Sequence, residues 1–173
     1  MQLNCLIVKR TFLKLAEYNN LVEQHADGIY RFALKHLKNE MDAQDIVQNT
    51  YLKTWEKHET IALENGKSYL FTVAINLIRN YVSYEKRFTS EEHANHHSYN
   101  ESSSQFDLKE ILENALDQLP EIQKTVILLR DYEGYNYEEI GKITDLSESQ
   151  VKVYIFRARK TLQGILKDQT LVV

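Results

Sequence analysis

Proline, glycine and cysteine are all scarce in this chain of 173 residues, which has one proline (Pro120), five glycines and one cysteine (Cys5). A lone thiol excludes an intrachain disulfide and makes a reducing cytoplasm the expected setting. Few prolines and glycines leave few enforced breaks, which favours long helices over a sheet with many turns. Long apolar runs are missing as well. The N-terminal "LNCLIV" is too short for the apolar region of a signal peptide, and no cleavage pattern follows it. No later window approaches the ~20 residues of a membrane span, so no membrane insertion is expected. Positive charge is not in excess either. A net charge of −4 argues against non-specific coating of nucleic acid, but leaves room for local basic faces and for a large partner on the acidic ones. The chain is 43% hydrophobic and 27% charged, a folded composition with length enough for one domain or two small ones.

Helical periodicity runs through most of the chain. Leu21, Ala26, Ile29, Tyr30, Ala33, Leu34 and Leu37 recur at threes and fours. In "MDAQDIVQNTYLKTWEK" the spacing turns Ala43, Ile46, Val47, Tyr51 and Trp55 inward, and Asp45, Gln48, Asn49, Leu52 and Glu56 outward. A loop over 59–67 precedes "KSYLFTVAINLIRNYVSYEKR", with Leu70, Ala74, Leu77, Ile78 and Tyr81 as its core stripe. The pattern then stops. Residues 87–106 are rich in Ser, Asn and His and show no period, which marks a flexible polar linker. Helical patterning resumes at "DLKEILENALDQL", Pro120 is placed to open a helix, and Gly134 to close it. The expected fold is all-α, with two small helical domains over 1–87 and 107–173 and a linker over 88–106.

The last stretch, "YEEIGKITDLSESQVKVYIFRARKTL", reads as two helices and a tight corner. Ser147 followed by Gln150 is a capping-box pattern that starts the second helix. Asp145 falls where the chain needs a left-handed turn, which Asp tolerates. Gly141 lies where the short first helix is crossed. Val151, Ile155, Ala158 and Leu162 share one face and are expected to pack on Ile140 and Ile143, as in a helix-turn-helix. The opposite sector carries Ser149, Val153, Phe156 and Lys160, flanked by Lys152 and Arg157, with Gln150 beside it. Short polar and apolar groups suit base edges, and cations suit phosphates. The plainer alternative is that Arg159 and Lys160 complement the dipole at a helix C-terminus.

These residues resemble a known family. The C-terminal stretch, with the lead-in "LDQLPEIQKTVILLRDYEG", is similar to the C-terminal helix-turn-helix of bacterial extracytoplasmic-function (ECF) sigma factors. "DAQDIVQNTYLKTWEK" and "KSYLFTVAINLIRNYV" are similar to the N-terminal domain of the same family. The resemblance implies that Asp45, Gln48, Asn49, Leu52 and Glu56 grip core RNA polymerase. It implies that Tyr69, Thr72, Asn76, Arg79, Asn80 and Ser83, an amide- and hydroxyl-rich helix face, read the −10 promoter element as it melts to single strands. Asn76 matches a pocket-lining asparagine; Tyr69 stands where the family often has tryptophan. Ser149, Gln150, Lys152, Val153, Phe156, Arg157 and Lys160 would meet the −35 duplex. An anti-sigma factor or other regulatory protein is an implied partner.

No nucleotide-binding, metalloprotease or hydrolase motif occurs in the sequence, so neither an enzyme nor a cofactor is expected. His93, His96 and His97 form a cluster inside the polar linker, where solvation is expected rather than metal. Cys5 has no flanking cations to lower its pKa, and is expected to pack as a small apolar residue. Two readings outside the family stay open from the residues: a dimeric helix-turn-helix regulator acting on duplex DNA alone, and a helical adaptor between proteins.

Overall fold

The structure is a computed structural model that describes residues 12–89 and 108–170. Among the described residues there are seven α-helices and no strand: α1 (Leu15–Leu37), α2 (Glu40–Trp55), α3 (Gly66–Thr89), α4 (Leu108–Asp117), α5 (Glu121–Ile127), α6 (Tyr137–Thr144) and α7 (Glu148–Thr170). The all-α expectation holds. The chain divides into two compact units between Ile78 and Arg79, inside α3. Helix α3 also takes in the first two residues of the expected linker. The rest of that segment, with His93, His96 and His97, lies outside the described residues, as does Cys5.

In the N-terminal unit, α1 and α2 meet at a corner of two residues. Lys38 takes the left-handed conformation (φ 58°), and the Asn39 side chain accepts from the N–H groups of Met41 and Asp42 at 2.9 and 3.2 Å. The buried line of α2 is Ala43, Ile46, Thr50 and Thr54. Both threonines satisfy their hydroxyls internally, Thr50 donating to the Ile46 carbonyl (2.7 Å) and Thr54 to that of Thr50 (2.8 Å), so each buries only its methyl face. Trp55, expected inward, lies about 140° round the helix from Thr50 and about 180° from Ile46 and stays 37% exposed. Val47 and Tyr51, also expected inward, are half-buried beside that line.

Phe32 of α1, which the sequence stripe omitted, packs edge-on against Phe71 of α3 with ring centroids 5.8 Å apart. The core face of α3 is wider than its sequence stripe: Phe71 and Ile75 join Leu70, Ala74 and Ile78, while Leu77 and Tyr81 are half-buried at its margins. Two single 3-10 turns, His58–Thr60 and Leu63–Asn65, connect α2 to α3. Phe12 and Leu13 lie antiparallel to Ile61 and Ala62; the Leu13 N–H donates to the Ile61 carbonyl at 3.0 Å and its side chain is buried.

In the C-terminal unit Pro120 caps α5, which continues into a π turn over Leu128–Tyr132 and stops at Gly134 (φ 75°). Pro120 and Gly134 thus act as their positions suggested. Lys124 is buried, its ammonium 2.7 Å from Asp117 Oδ1. Asn136 opens α6 through a capping box with Glu139, the two bonds being 2.8 and 2.9 Å. Val126, Ile127, Leu128, Leu129, Tyr135, Ile140, Ile143, Val151, Ile155 and Ala158 fill the core between α5, α6 and α7.

Candidate nucleic-acid interface

The corner between α6 and α7 is built from local chemistry. Asp145 closes α6 in the left-handed conformation (φ 59°), and the Leu146 N–H donates to the Gly141 carbonyl at 3.0 Å. A Cβ on residue 141 would stand 2.6 Å from the Leu146 carbonyl oxygen, so glycine is required by the turn rather than by the crossing helix. Ser147 N–H donates to Gln150 Oε1 (2.8 Å) and Gln150 N–H to Ser147 Oγ (3.3 Å), completing the expected capping box. Gln150 therefore serves the cap, though its side chain remains at the surface.

Above that corner α7 presents the sector read from the sequence. Ser149, Lys152, Val153, Phe156, Arg157 and Lys160 are all exposed, Phe156 at 68%. An exposed Phe among hydroxyl and cationic groups is what base edges with flanking phosphates accept. The dipole explanation for Arg159 and Lys160 fails, because α7 continues to Thr170 and both residues lie far from its end. Arg159 instead pairs with Asp131 of the π turn at 2.7 Å. Lys152 pairs with Glu148, one turn back at 2.5 Å, and lies 5.6 Å from the centroid of the Tyr137 ring. The other side of that helix start is held by Arg130, which lies 4.8 Å from the same centroid and donates to the Tyr135 carbonyl at 2.8 Å.

On α3, Asn76, Asn80 and Ser83 are exposed, while Tyr69, Thr72 and Arg79 are half-buried. Helical spacing aligns all six roughly opposite Leu70, Ala74 and Ile78. Thr72 donates its hydroxyl to the Ser68 carbonyl at 2.9 Å, which leaves its methyl as the outer group.

On α2, Asp45, Gln48, Asn49, Leu52 and Glu56 are all exposed, as their spacing predicts. The Asn49 amide donates to the Asp45 carbonyl at 2.9 Å. Sequence reasoning missed Met41, which continues the line of Asp45, Gln48 and Leu52 and is 76% exposed. Its four-, seven- and eleven-residue spacing to those positions was the available signal. Trp55 edges the same surface, stacked on the His58 ring at 4.0 Å and tilted against Tyr18 at 4.9 Å. Apolar groups set among carboxylates and amides have the anatomy of a protein interface, an apolar centre with a polar rim.

Among the described residues no group of His, Cys, Asp and Glu could hold a metal ion, and no helix is long and apolar enough to cross a membrane. A two-unit helical chain whose C-terminal unit is a helix-turn-helix with an open outer face defines a DNA-binding regulator of transcription. A family model for sigma-70 region 2 matches residues 21–88, and one for sigma-70 region 4 matches residues 109–162. The chain belongs to the sigma-70 family, in its ECF group, and is a promoter-recognising sigma factor of transcription initiation.

Relatives agree with this. The chain is 29% identical over 151 residues to the RNA polymerase sigma factor SigV of Bacillus subtilis, covering 87% of this chain and 91% of that one. It is 25% identical over 152 residues to the ECF RNA polymerase sigma factor SigM of the same organism, covering 85% and 93%. A similar solved structure is that of the sigma factor RpoE in complex with the anti-sigma factor NepR from Bartonella quintana, with TM-score 0.74, 25% identity and coverage of 88% and 98%. CnrH in complex with the cytosolic domain of CnrY shares the fold at TM-score 0.65 and 20% identity, covering 87% and 88%.

Proposed function

We propose that the three exposed faces divide the work of initiation. The α2 face of Asp45, Gln48, Asn49, Leu52 and Glu56, extended by Met41, docks on core RNA polymerase. The α3 face of Tyr69, Thr72, Asn76, Arg79, Asn80 and Ser83 holds the −10 element as it opens. The α7 face of Ser149, Lys152, Val153, Phe156, Arg157 and Lys160 lies in the major groove of the −35 element. On this reading the domain spanning 1–87 serves polymerase and the −10 element, and that spanning 107–173 serves the −35 element. The reading places the protein in the cytoplasm, where polymerase is.

The observation that carries this reading is the outer face of α7, where an exposed Phe156 lies between Val153 and Lys160 on a helix whose N-terminus is already capped by Ser147 and Gln150. Base capture by hydrogen bonds and stacking needs no fuel, which suits a face of amides and hydroxyls on α3. Binding through two DNA faces on one chain raises the effective concentration of the second once the first is engaged, so neither must be strongly basic. Polymerase supplies the remaining DNA affinity, and the factor itself can stay acidic. A regulatory protein that covers these faces is a further expected partner; RpoE is in complex with the anti-sigma factor NepR, and CnrH with the cytosolic domain of CnrY.

The test is co-elution with bacterial core RNA polymerase on gel filtration, with an Asp45→Arg variant beside the natural chain. Stable co-elution that the variant loses is the expected result. Co-elution that survives the charge reversal moves the docking face elsewhere. A folded chain that never co-elutes removes the polymerase mechanism.

A further inference from the structure

Between Lys152 and Lys160 helix α7 carries four cations, and the structure sorts them into two kinds. Arg159 is tied to Asp131 at 2.7 Å, and Lys152 to Glu148 at 2.5 Å. Among the described residues Arg157 and Lys160 make no ion pair. Helical spacing puts Lys152 and Arg159 on one flank of the outer sector, with Arg157 on the other. One flank is therefore neutralised from within, and the other faces outward with its charge intact.

The Lys152 ammonium is held from two directions, by the carboxylate one turn below it and by the Tyr137 ring of α6. Glu148 complements the dipole at the start of α7 but takes no part in its cap. The cap is made by Ser147 and Gln150, whose mutual bonds do not involve it. Both side chains of the pair are about half exposed, 55% for Lys152 and 52% for Glu148, so a phosphate oxygen could compete for the ammonium. An exposed pair of this spacing is weak, which makes it a brake rather than a lock.

We propose that Glu148 sets the strength of the −35 contact by holding Lys152 away from the DNA phosphates. This rests on the assignment of the α7 face to −35 duplex. While the pair stays closed, Lys152 releases no counterion on binding and adds little affinity. Neutralising Glu148 turns Lys152 outward as an additional phosphate ligand.

The experiment uses the full chain with core RNA polymerase. Its probe is a promoter duplex recovered by selecting a random-sequence library with that holoenzyme. Affinity is measured across a salt series for Glu148→Gln, Lys152→Gln and the double variant, with thermal unfolding as a check on fold. Glu148→Gln is expected to tighten binding about two- to fivefold and to deepen the slope of log K against log salt by about 0.9. Lys152→Gln is expected to cost more in the Glu148→Gln background than in the natural chain. Glu148→Asp keeps the charge at the helix start but shortens its reach, and is expected to give part of the gain.

No tightening with Glu148→Gln would overturn the proposal. So would an equal or smaller loss from Lys152→Gln once Glu148 is neutral, because Glu148 would then act by repelling phosphate directly. Arg157→Ala is measured alongside; if it leaves promoter affinity unchanged, the α7 assignment itself falls and the brake falls with it. A changed Arg157 variant beside an unchanged Glu148 one removes the brake alone.

Discussion

Arg159 and Asp131 are 28 residues apart, and the guanidinium of one reaches both carboxylate oxygens of the other, Nη2 to Oδ1 at 2.7 Å and Nε to Oδ2 at 3.4 Å. The pair ties the middle of the recognition helix to the π turn that ends the helix before the motif. A fork of this kind fixes orientation as well as distance, which a lysine cannot reproduce. Arg159→Ala is expected to cost the C-terminal unit up to about 1 kcal/mol, as solvent-exposed pairs do, with Arg159→Lys recovering only part. Urea unfolding measures both. Promoter affinity should hardly change, since this cation is already committed inside the protein.

Gly141 should be intolerant of any side chain. Alanine would ordinarily favour the helix by about 1 kcal/mol, but its Cβ would meet the Leu146 carbonyl oxygen at 2.6 Å. That oxygen is backbone and cannot swing aside. The corner would have to open, at a net cost of roughly 1–3 kcal/mol. A lowered denaturation midpoint for Gly141→Ala is the expected result, together with weakened promoter use. A neutral or stabilised variant would show that the turn can relax.

Asn76 is exposed on α3. Asn76→Ala is therefore expected to leave unfolding and polymerase co-elution unchanged while slowing promoter opening, read with a fluorescent base in the −10 element. Equal losses in opening and polymerase binding would assign it a structural role.

Acid should weaken the N-terminal unit through His25. Burial holds this imidazole below its ordinary range, and the charge of Lys67 acts in the same direction. The folded state therefore favours neutral His25, and binds a proton less readily than the unfolded chain. Its contribution is fully present above the ordinary histidine value of about 6.5, and is lost as pH falls from there through the lowered folded value. Melting temperature is expected to drop between pH 7.5 and 5.5, with a smaller drop in His25→Gln. An identical drop in both would place the acid sensitivity elsewhere.

Much of this was legible because it is local. Pro120, Gly134, Asp145 and the Ser147–Gln150 pair each act within one turn of their own position, so residue type and spacing were enough. The outer faces of α2 and α7 were legible for the same reason, since a helix that buries one line must expose the opposite one. Thr50 and Thr54 were not. A hydroxyl that bonds to the carbonyl four residues back looks polar in sequence and apolar in the core, and that shifted the reading of α2 by about a third of a turn. The left-handed Lys38 was equally silent, because its side chain gives no hint of the corner it makes.

The sequence by itself determined the helical class, the helix-turn-helix and most of the outer faces of α2 and α7. All of these follow from a period of 3.6 residues and from capping chemistry within a turn. Only the tertiary structure decided which charges those faces keep. It carried α7 past Arg159 and Lys160, spent Arg159 on a carboxylate from another helix, and leaned Lys152 between Glu148 and a ring of α6. It also laid Leu13 beneath the loop that leads into α3. Arg159 with Asp131, Lys152 with Tyr137 and Leu13 with Ile61 join parts of the chain that are distant in sequence, and their distances are ones no periodicity encodes; the Glu148–Lys152 pair, four residues apart, is the local exception.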